Sequence, residues 1–260
     1  MGQYSKSRQS ELFRDEFISP RLGAERLRYL MHSGQEVNSS SFFHQIRRMM
    51  QFGHVLDCGA GFGGNSWILA DRYHSTVDAL TISPGQVEHM QILFGQYGLL
   101  GSIAPKLGNA FASDWWHGQP YDLIIGFESF CQMGNPTALI RNLSRFQTPG
   151  GVIGISDHFM RRKESRIARY FDEYWVSDSS ELGEMLVALN NSGYRLESLR
   201  DRTDGQIPYW RLSQAYSMLP TQDRSDDRRS QTFEFHRAME SGYINGDVQY
   251  VQLIARRVNQ

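Results

Sequence analysis

Asp57, Gly59, Gly61 and Gly63 stand in the run Asp57-Cys58-Gly59-Ala60-Gly61-Phe62-Gly63-Gly64, after a short apolar stretch and before a helix-like one. Glycine at a strand-to-helix turn lets the backbone bend tightly and lets a small ligand lie against the main chain. The spacing is G-x-G-x-G, whereas a dinucleotide fold uses G-x-G-x-x-G to hold a pyrophosphate. The acid two residues ahead of the first glycine suits the ammonium end of an amino-acid-like cofactor and not a phosphate. A tight turn with no ligand is the plain alternative.

Two further groups could do acid–base work. Glu128 follows the strand-like run Tyr121-Asp122-Leu123-Ile124-Ile125-Gly126, and His158 follows Asp157 at the end of Val152–Ser156. In an open parallel sheet, ligands bind beyond the carboxyl ends of the strands. A carboxylate and an imidazole placed there are candidates for general acid–base chemistry. His158 has a plainer alternative as a hydrogen-bonded residue that shapes its loop. Around these positions come Phe127, Phe130, Phe159, Tyr170, Phe171, Tyr174, Trp175, Tyr209, Trp210 and Tyr216. Aromatic faces stabilise positive charge, although aromatics at such spacings also build cores. Arg162, Arg166 and Arg169 fall at i, i+4 and i+7, hence on one helical face. Such a face would hold a diphosphate through charge-assisted bonds, or it is a solvated surface.

These groups must be positioned by regular elements. The chain from residue 54 alternates apolar strand-like runs (His54–Asp57, Thr76–Ile82, Tyr121–Gly126, Val152–Ser156) with helix-like ones (Asn65–Tyr73, Pro84–Tyr97, Pro136–Phe146). That alternation predicts a parallel sheet covered on both faces. Residues 1–50 read as helical, with a loop and cap at Asn38–Ser41 and a short helix over Phe42–Met50. Later come a helical run over Arg161–Trp175, a helix over Ser180–Ser192 and a strand over Tyr194–Arg200. A solvated stretch over 221–230, a helix over Thr232–Ser241 and a last strand over Val248–Arg256 complete the chain, and a late antiparallel hairpin fits this ending.

The bulk numbers set bounds. At 260 residues, 40% hydrophobic and 21% charged, the chain is long enough for one α/β domain with additions and is globular in composition. A formal net charge of −1 argues against a partner gripped through phosphates, so nucleic acid is not expected. No run of 18 apolar residues occurs, so no membrane span is expected. Two cysteines with no metal-ligand spacing point to a reduced, cytoplasmic compartment.

With these motifs in hand, the stretch 54–156 resembles the class I S-adenosylmethionine (SAM)-dependent methyltransferases. The resemblance rests on the glycine loop, the strand ending at Thr81, Gly108-Asn109-Ala110-Phe111, Tyr121-Asp122-Leu123 and Pro149-Gly150-Gly151. It implies an α/β, Rossmann-like seven-stranded sheet with the last strand antiparallel. An N-terminal helical lid over 1–50 and a methyltransferase domain over 51–260 go with it. Substrate-covering insertions fall at about 160–180 and 206–245, the helical insertion lying before the final hairpin. It also implies that Asp57, Gly59, Ala60 and Gly61 line the methionine part of SAM, with Asn109 and Ala110 at adenine, and Ile82 and Phe127 beside the cofactor. Trp115 would pack on adenine or close the site.

One departure narrows the branch. The second strand ends in Thr81, not an acid, and continues Ile82-Ser83-Pro84-Gly85-Gln86. This resembles the T-L-S-x-x-Q version found in sterol and prenyl-diphosphate C-methyltransferases, where threonine and glutamine hold the ribose. Glu128 resembles the glutamate of that branch. The implied reaction is methyl transfer to an alkene carbon of a prenyl diphosphate, through a carbocation. Glu128, His158 and Tyr209 would be catalytic, and Phe130, Arg162, Arg166, Tyr174, Trp175, Trp210 and Tyr216 would bind substrate. A diphosphate would bring Mg²⁺, although no dedicated metal motif is present. O- or N-methylation with His158 as base, and a SAM-binding module without chemistry, stay open. The N-terminal helices could support a homodimer.

Overall fold

The computed structural model describes residues 35–218 and 226–258. Helix α1 (Gln35–Met49) leads into β1 (His54–Cys58), α2 (Gly64–Tyr73), β2 (Thr76–Thr81), α3 (Pro84–Gln96) and β3 (Ile103–Leu107). Then follow β4 (Tyr121–Phe127), a 3-10 turn (Phe130–Gln132), α4 (Pro136–Ser144) and β5 (Gln147–Met160). The last part holds α5 (Arg166–Trp175), α6 (Leu182–Asn191), β6 (Tyr194–Asp201), α7 (Thr203–Ser217), α8 (Asp226–Ile244) and β7 (Val248–Arg257).

The seven strands form one sheet in the order β3-β2-β1-β4-β5-β7-β6. Strands β1 to β5 pair in parallel, and β7 runs antiparallel to both β5 and β6. This is the expected seven-stranded sheet with its last strand antiparallel. The insertion comes in two pieces. Helix α5 precedes the β6/β7 pair, and α7 and α8 stand between its two strands.

Burial explains the layers. The central strands are apolar throughout because both their faces are covered. On one face, Phe42, Phe43 and Ile46 of α1 pack with Leu69, Met90 and Phe94. On the other, Leu139, Ile140 and Leu143 of α4 meet Met185 and Leu189 of α6. A third cluster joins Phe171 and Trp175 of α5 to Trp210, Phe235 and Tyr243, over the end of β5 and over β7.

Two local expectations differ from the structure. Asn38–Ser41 lie inside α1 and not in a loop, because the turns that follow bury Phe42, Phe43 and Ile46 and so extend the helix. Helix α8 starts at Asp226 and not at Thr232, although Asp227 and Ser230 in that first part are exposed as expected. Residues 1–34, most of the expected lid, lie outside the described residues.

Candidate functional site

The strand order reverses between β1 and β4. Neighbouring loops leave the sheet in opposite directions at such a switch point, and a crevice opens beyond the strands' carboxyl ends. The glycine loop follows β1 and Glu128 follows β4, with Asp57 opposite Ile125 in the ladder. Topology alone therefore puts the two sequence motifs side by side.

Asp57 is 1% exposed and accepts a 2.6 Å hydrogen bond from Ser66 Oγ. Burial pushes its carboxyl up to about 6, against the opposing pull of Ser66. The loop beyond it is held to β2, since the Gly59 and Ala60 N–H groups both donate to Leu80 O. Its glycines serve different ends. Gly59 (φ +84°) faces Ser129, whereas Gly61 (φ +56°) has nothing within 4 Å of where a Cβ would stand. The open side of the loop is at Gly61.

Thr81 and Gln86 are brought together. The Thr81 hydroxyl donates to Gln86 Oε1 at 2.5 Å, and both side chains are buried. Ile82 is half-buried beside them. Past β3, Asn109 Oδ1 caps the Phe111 N–H, and Asn142 Nδ2 donates to the Ala110 and Ala112 carbonyls. Trp115 is 4% exposed, packs edge-on to Phe146 and donates its indole N–H to the carbonyls of Asn109 and Ala112. It scaffolds the 109–112 turn from beneath.

Glu128 adopts φ +49°, a left-handed conformation that side chains other than glycine and asparagine avoid. The conformation is over-determined by Asp157. That fully buried carboxylate accepts Ser129 N–H and Cys131 N–H at 3.1 Å on Oδ2, and His158 N–H at 2.8 Å on Oδ1. Burial raises the Asp157 carboxyl to about 6, with His158 and the Cys131 bonds pulling the other way.

Next to this turn, His158 Nε2 stands 3.7 Å from Glu128 Oε2, and its Nδ1 is hydrogen-bonded to the Tyr243 hydroxyl. The His158 side chain is 4% exposed and that of Glu128 is 24% exposed. Burial disfavours the imidazolium, but Glu128 and Asp157 outweigh it and hold the His158 pKa above its ordinary value. Phe171, Trp210, Tyr243 and Tyr250 surround the imidazole at ring separations of 5.1 to 6.3 Å.

The expected substrate residues divide. Trp210 is buried beside His158, and Tyr209, half-buried, packs edge-on to it. Trp175 and Tyr174 pack on Phe235, the latter stacked at 3.8 Å. Phe130 is fully buried in the core under Gly126, where a Cβ would fall 2.5 Å from its ring. Phe127 packs against Phe42 and Phe43 of α1. Arg162 precedes α5, which begins at Arg166 behind the Ser165 cap, so the two arginines do not share a helix face. Arg166 and Arg169 point to solvent, while Ala168, Phe171 and Trp175 turn inward. The side chain of Tyr216 lies outside the described residues.

Three contributors receive no role from the sequence, although Gly242-Tyr243 resembles the C-terminal part of the same C-methyltransferase branch. Phe235 is the hub of the aromatic cluster, Tyr243 is the partner of His158, and Asp157 holds the Glu128 turn. Only Asp157 carries a local signal, an acid at a strand end directly before the histidine. Among the described residues no group of three or more His, Cys, Asp or Glu side chains could hold a metal ion, and no helix is long and apolar enough to cross a membrane.

Comparison with known proteins agrees with this geometry. The family described as "Methyltransferase domain" matches residues 55–151. The O-methyltransferase resE of Aspergillus sclerotiorum is 24% identical over 158 residues, 60% of each chain. A 2-methyl-6-phytyl-1,4-hydroquinone methyltransferase of Synechocystis is 31% identical over 105 residues, 40% of this chain and 31% of the relative. The chain thus spans less than two thirds of the length of these curated relatives. Among solved structures, geranyl diphosphate C-methyltransferase from Streptomyces coelicolor A3(2) superposes with TM-score 0.77 at 18% identity, covering 99% of this chain and 100% of that one. Mycolic acid cyclopropane synthase CmaA1 gives 0.78 at 15% identity, covering 98% and 95%. Residues 55–151 match the methyltransferase domain family, and the chain as a whole has the class I methyltransferase fold.

Proposed function

We propose that this chain methylates a small hydrophobic acceptor from SAM, with the alkene carbon of a prenyl diphosphate such as isopentenyl or geranyl diphosphate as the preferred acceptor. One observation carries the reading. Glu128 is the part-exposed carboxylate at the switch point, backed by a buried histidine and aromatic rings. Methylation of an alkene leaves positive charge on carbon, which a carboxylate and π-faces offset. Superposition on geranyl diphosphate C-methyltransferase supports the branch.

The residues fit SAM. The open space at Gly61 admits a ligand against the main chain, and the buried Asp57 suits an ammonium. Thr81 with Gln86 would meet the ribose, with Ile82, Asn109 and Ala110 at adenine and Phe127 alongside. When bound, SAM supplies an electrophilic methyl group. Glu128 offsets the charge on the methylated acceptor and takes the proton whose loss restores a double bond. In this reading the rings of Trp210, beside His158, and of Tyr209, edge-on to Trp210, add π-faces to the site. Residues 1–50 are read as the lid of this site, an assignment supported by Phe42 and Phe43 packing on Phe127.

O- or N-methylation is the second reading, favoured by relatives such as the O-methyltransferase resE. His158 suits it poorly as a direct base, since the ring is buried and both its nitrogens face protein groups. The test is titration with SAM, then turnover on isoprenoid diphosphates and on phenolic acceptors. Glu128→Gln should keep SAM affinity and lower kcat by roughly 10²–10⁴. If Glu128→Gln keeps full activity while His158→Ala abolishes it, the carbon-methylation mechanism fails.

A further inference from the structure

Resting on that reading of Glu128, we infer that Tyr243 is a positioning residue, which fixes the tautomer of His158 and so directs an N–H at the Glu128 carboxylate. The inference follows from counting donors. An ionised carboxylate only accepts, so Nε2 must carry a hydrogen to face it favourably. A neutral imidazole then has a bare Nδ1, which requires a donor. The Tyr243 hydroxyl is bonded to Nδ1 and can supply it. When the ring is protonated the same hydroxyl accepts from Nδ1–H, so Nε2 faces Glu128 in both states.

The surroundings keep the hydroxyl in that role. Tyr243 is 3% exposed, and burial, with Glu128 next in effect, holds its phenol far above the usual range, so it stays protonated. Its helix α8 is anchored by Phe235 and Met239 in the aromatic cluster. The buried Trp210 ring stacks beside the Tyr243 ring, with 6.4 Å between their centroids.

The consequence for Glu128 is orientation. Its left-handed backbone is fixed by the Asp157 bonds, and the His158 Nε2–H adds a donor that draws the side chain toward the imidazole. Tyr243 acts on it through His158 and touches neither acceptor nor cofactor in this account.

The test is ¹⁵N nuclear magnetic resonance of the imidazole on the full chain without ligand, at a pH above the histidine range. The wild type should show a protonated Nε2 and a bare, hydrogen-bonded Nδ1. Tyr243→Phe should mix the tautomers and lower kcat on the order of tenfold, part of the factor a positioned base contributes, with KM for SAM unchanged. A protonated Nδ1 in the wild type overturns the inference, and needs no variant that must fold. So does a tautomer unmoved by Tyr243→Phe. Because the spectrum is read without turnover, its failure is distinct from failure of the methylation reading: no turnover on any acceptor with the expected tautomer present would sink only the latter.

Discussion

Ser129 and Gly59 approach so closely that a Cβ on the glycine would fall 2.4 Å from the Ser129 Cβ. The same serine donates from Oγ to the Cys58 carbonyl at 2.8 Å. The loop after β1 and the turn carrying Glu128 are thus one packed unit. Gly59→Ala must both adopt φ near +84° and displace Ser129. It should cost about 3 kcal/mol, the sum of overpacking and left-handed strain. Gly61→Ala meets no atom within 4 Å and should cost only the backbone strain, about 1–2 kcal/mol, while weakening SAM binding more than it weakens the fold. Urea midpoints and SAM titration check the pair. Equal stability losses would show that close packing is not what the first glycine serves.

Asp57 makes both stability and affinity depend on pH. Its folded pKa, about 6, lies above the ordinary 3.8. Between those values the folded state holds a proton that the unfolded state has released, so this group's contribution to stability falls as pH rises through the window, by up to about 1.4 kcal/mol per unit. The wild type minus Asp57→Asn difference in unfolding free energy isolates that slope. If Asp57 meets the SAM ammonium, affinity weakens as pH drops below about 6, and Asp57→Asn flattens the profile. A wild-type affinity constant from pH 5 to 7.5 would remove Asp57 from the cofactor site.

Arg166→Ala and Arg169→Ala should leave pyrophosphate affinity unchanged and stability within about 0.5 kcal/mol. Both side chains leave the solvent face of α5, opposite Phe171 and Trp175. A several-fold loss of pyrophosphate affinity in Arg166→Ala would restore the basic face as a diphosphate site.

How far the sequence could be read follows from the range of each interaction. The sheet was legible because strand and helix periods are local, and the tight turn after β1 because its glycines and acid fall within eight residues. Thr81 and Gln86 were legible as a pair because they are five apart and join across one turn. The role of Tyr243 was not, because its contact with His158 spans 85 residues, and Gly242-Tyr243 marked only a resemblance and not a partner. Phe235 was hidden for the same reason. The arginines misled because spacing assigns a helical face only where a helix exists, and α5 starts after Arg162. Phe130 misled because a residue beside the Glu128 turn can face the core as readily as the crevice, and only the sheet says which.

The strain at Glu128 leads to a prediction in which function and stability part. A glycine there keeps the backbone bond from residue 128 N–H to Ser156 O and loses the cost of a left-handed side chain. Above the histidine range, the Glu128–His158 ion pair is not charged and its loss costs little. Under those conditions Glu128→Gly should raise the unfolding free energy by about 1 kcal/mol, the lower end of the left-handed penalty, and should abolish methyl transfer. Chemical denaturation at high pH, set beside turnover, reads both. A clear loss of stability would mean that the glutamate's contacts outweigh its strain, and that the turn is held for the fold and not for chemistry. A gain with retained turnover would remove Glu128 from the mechanism.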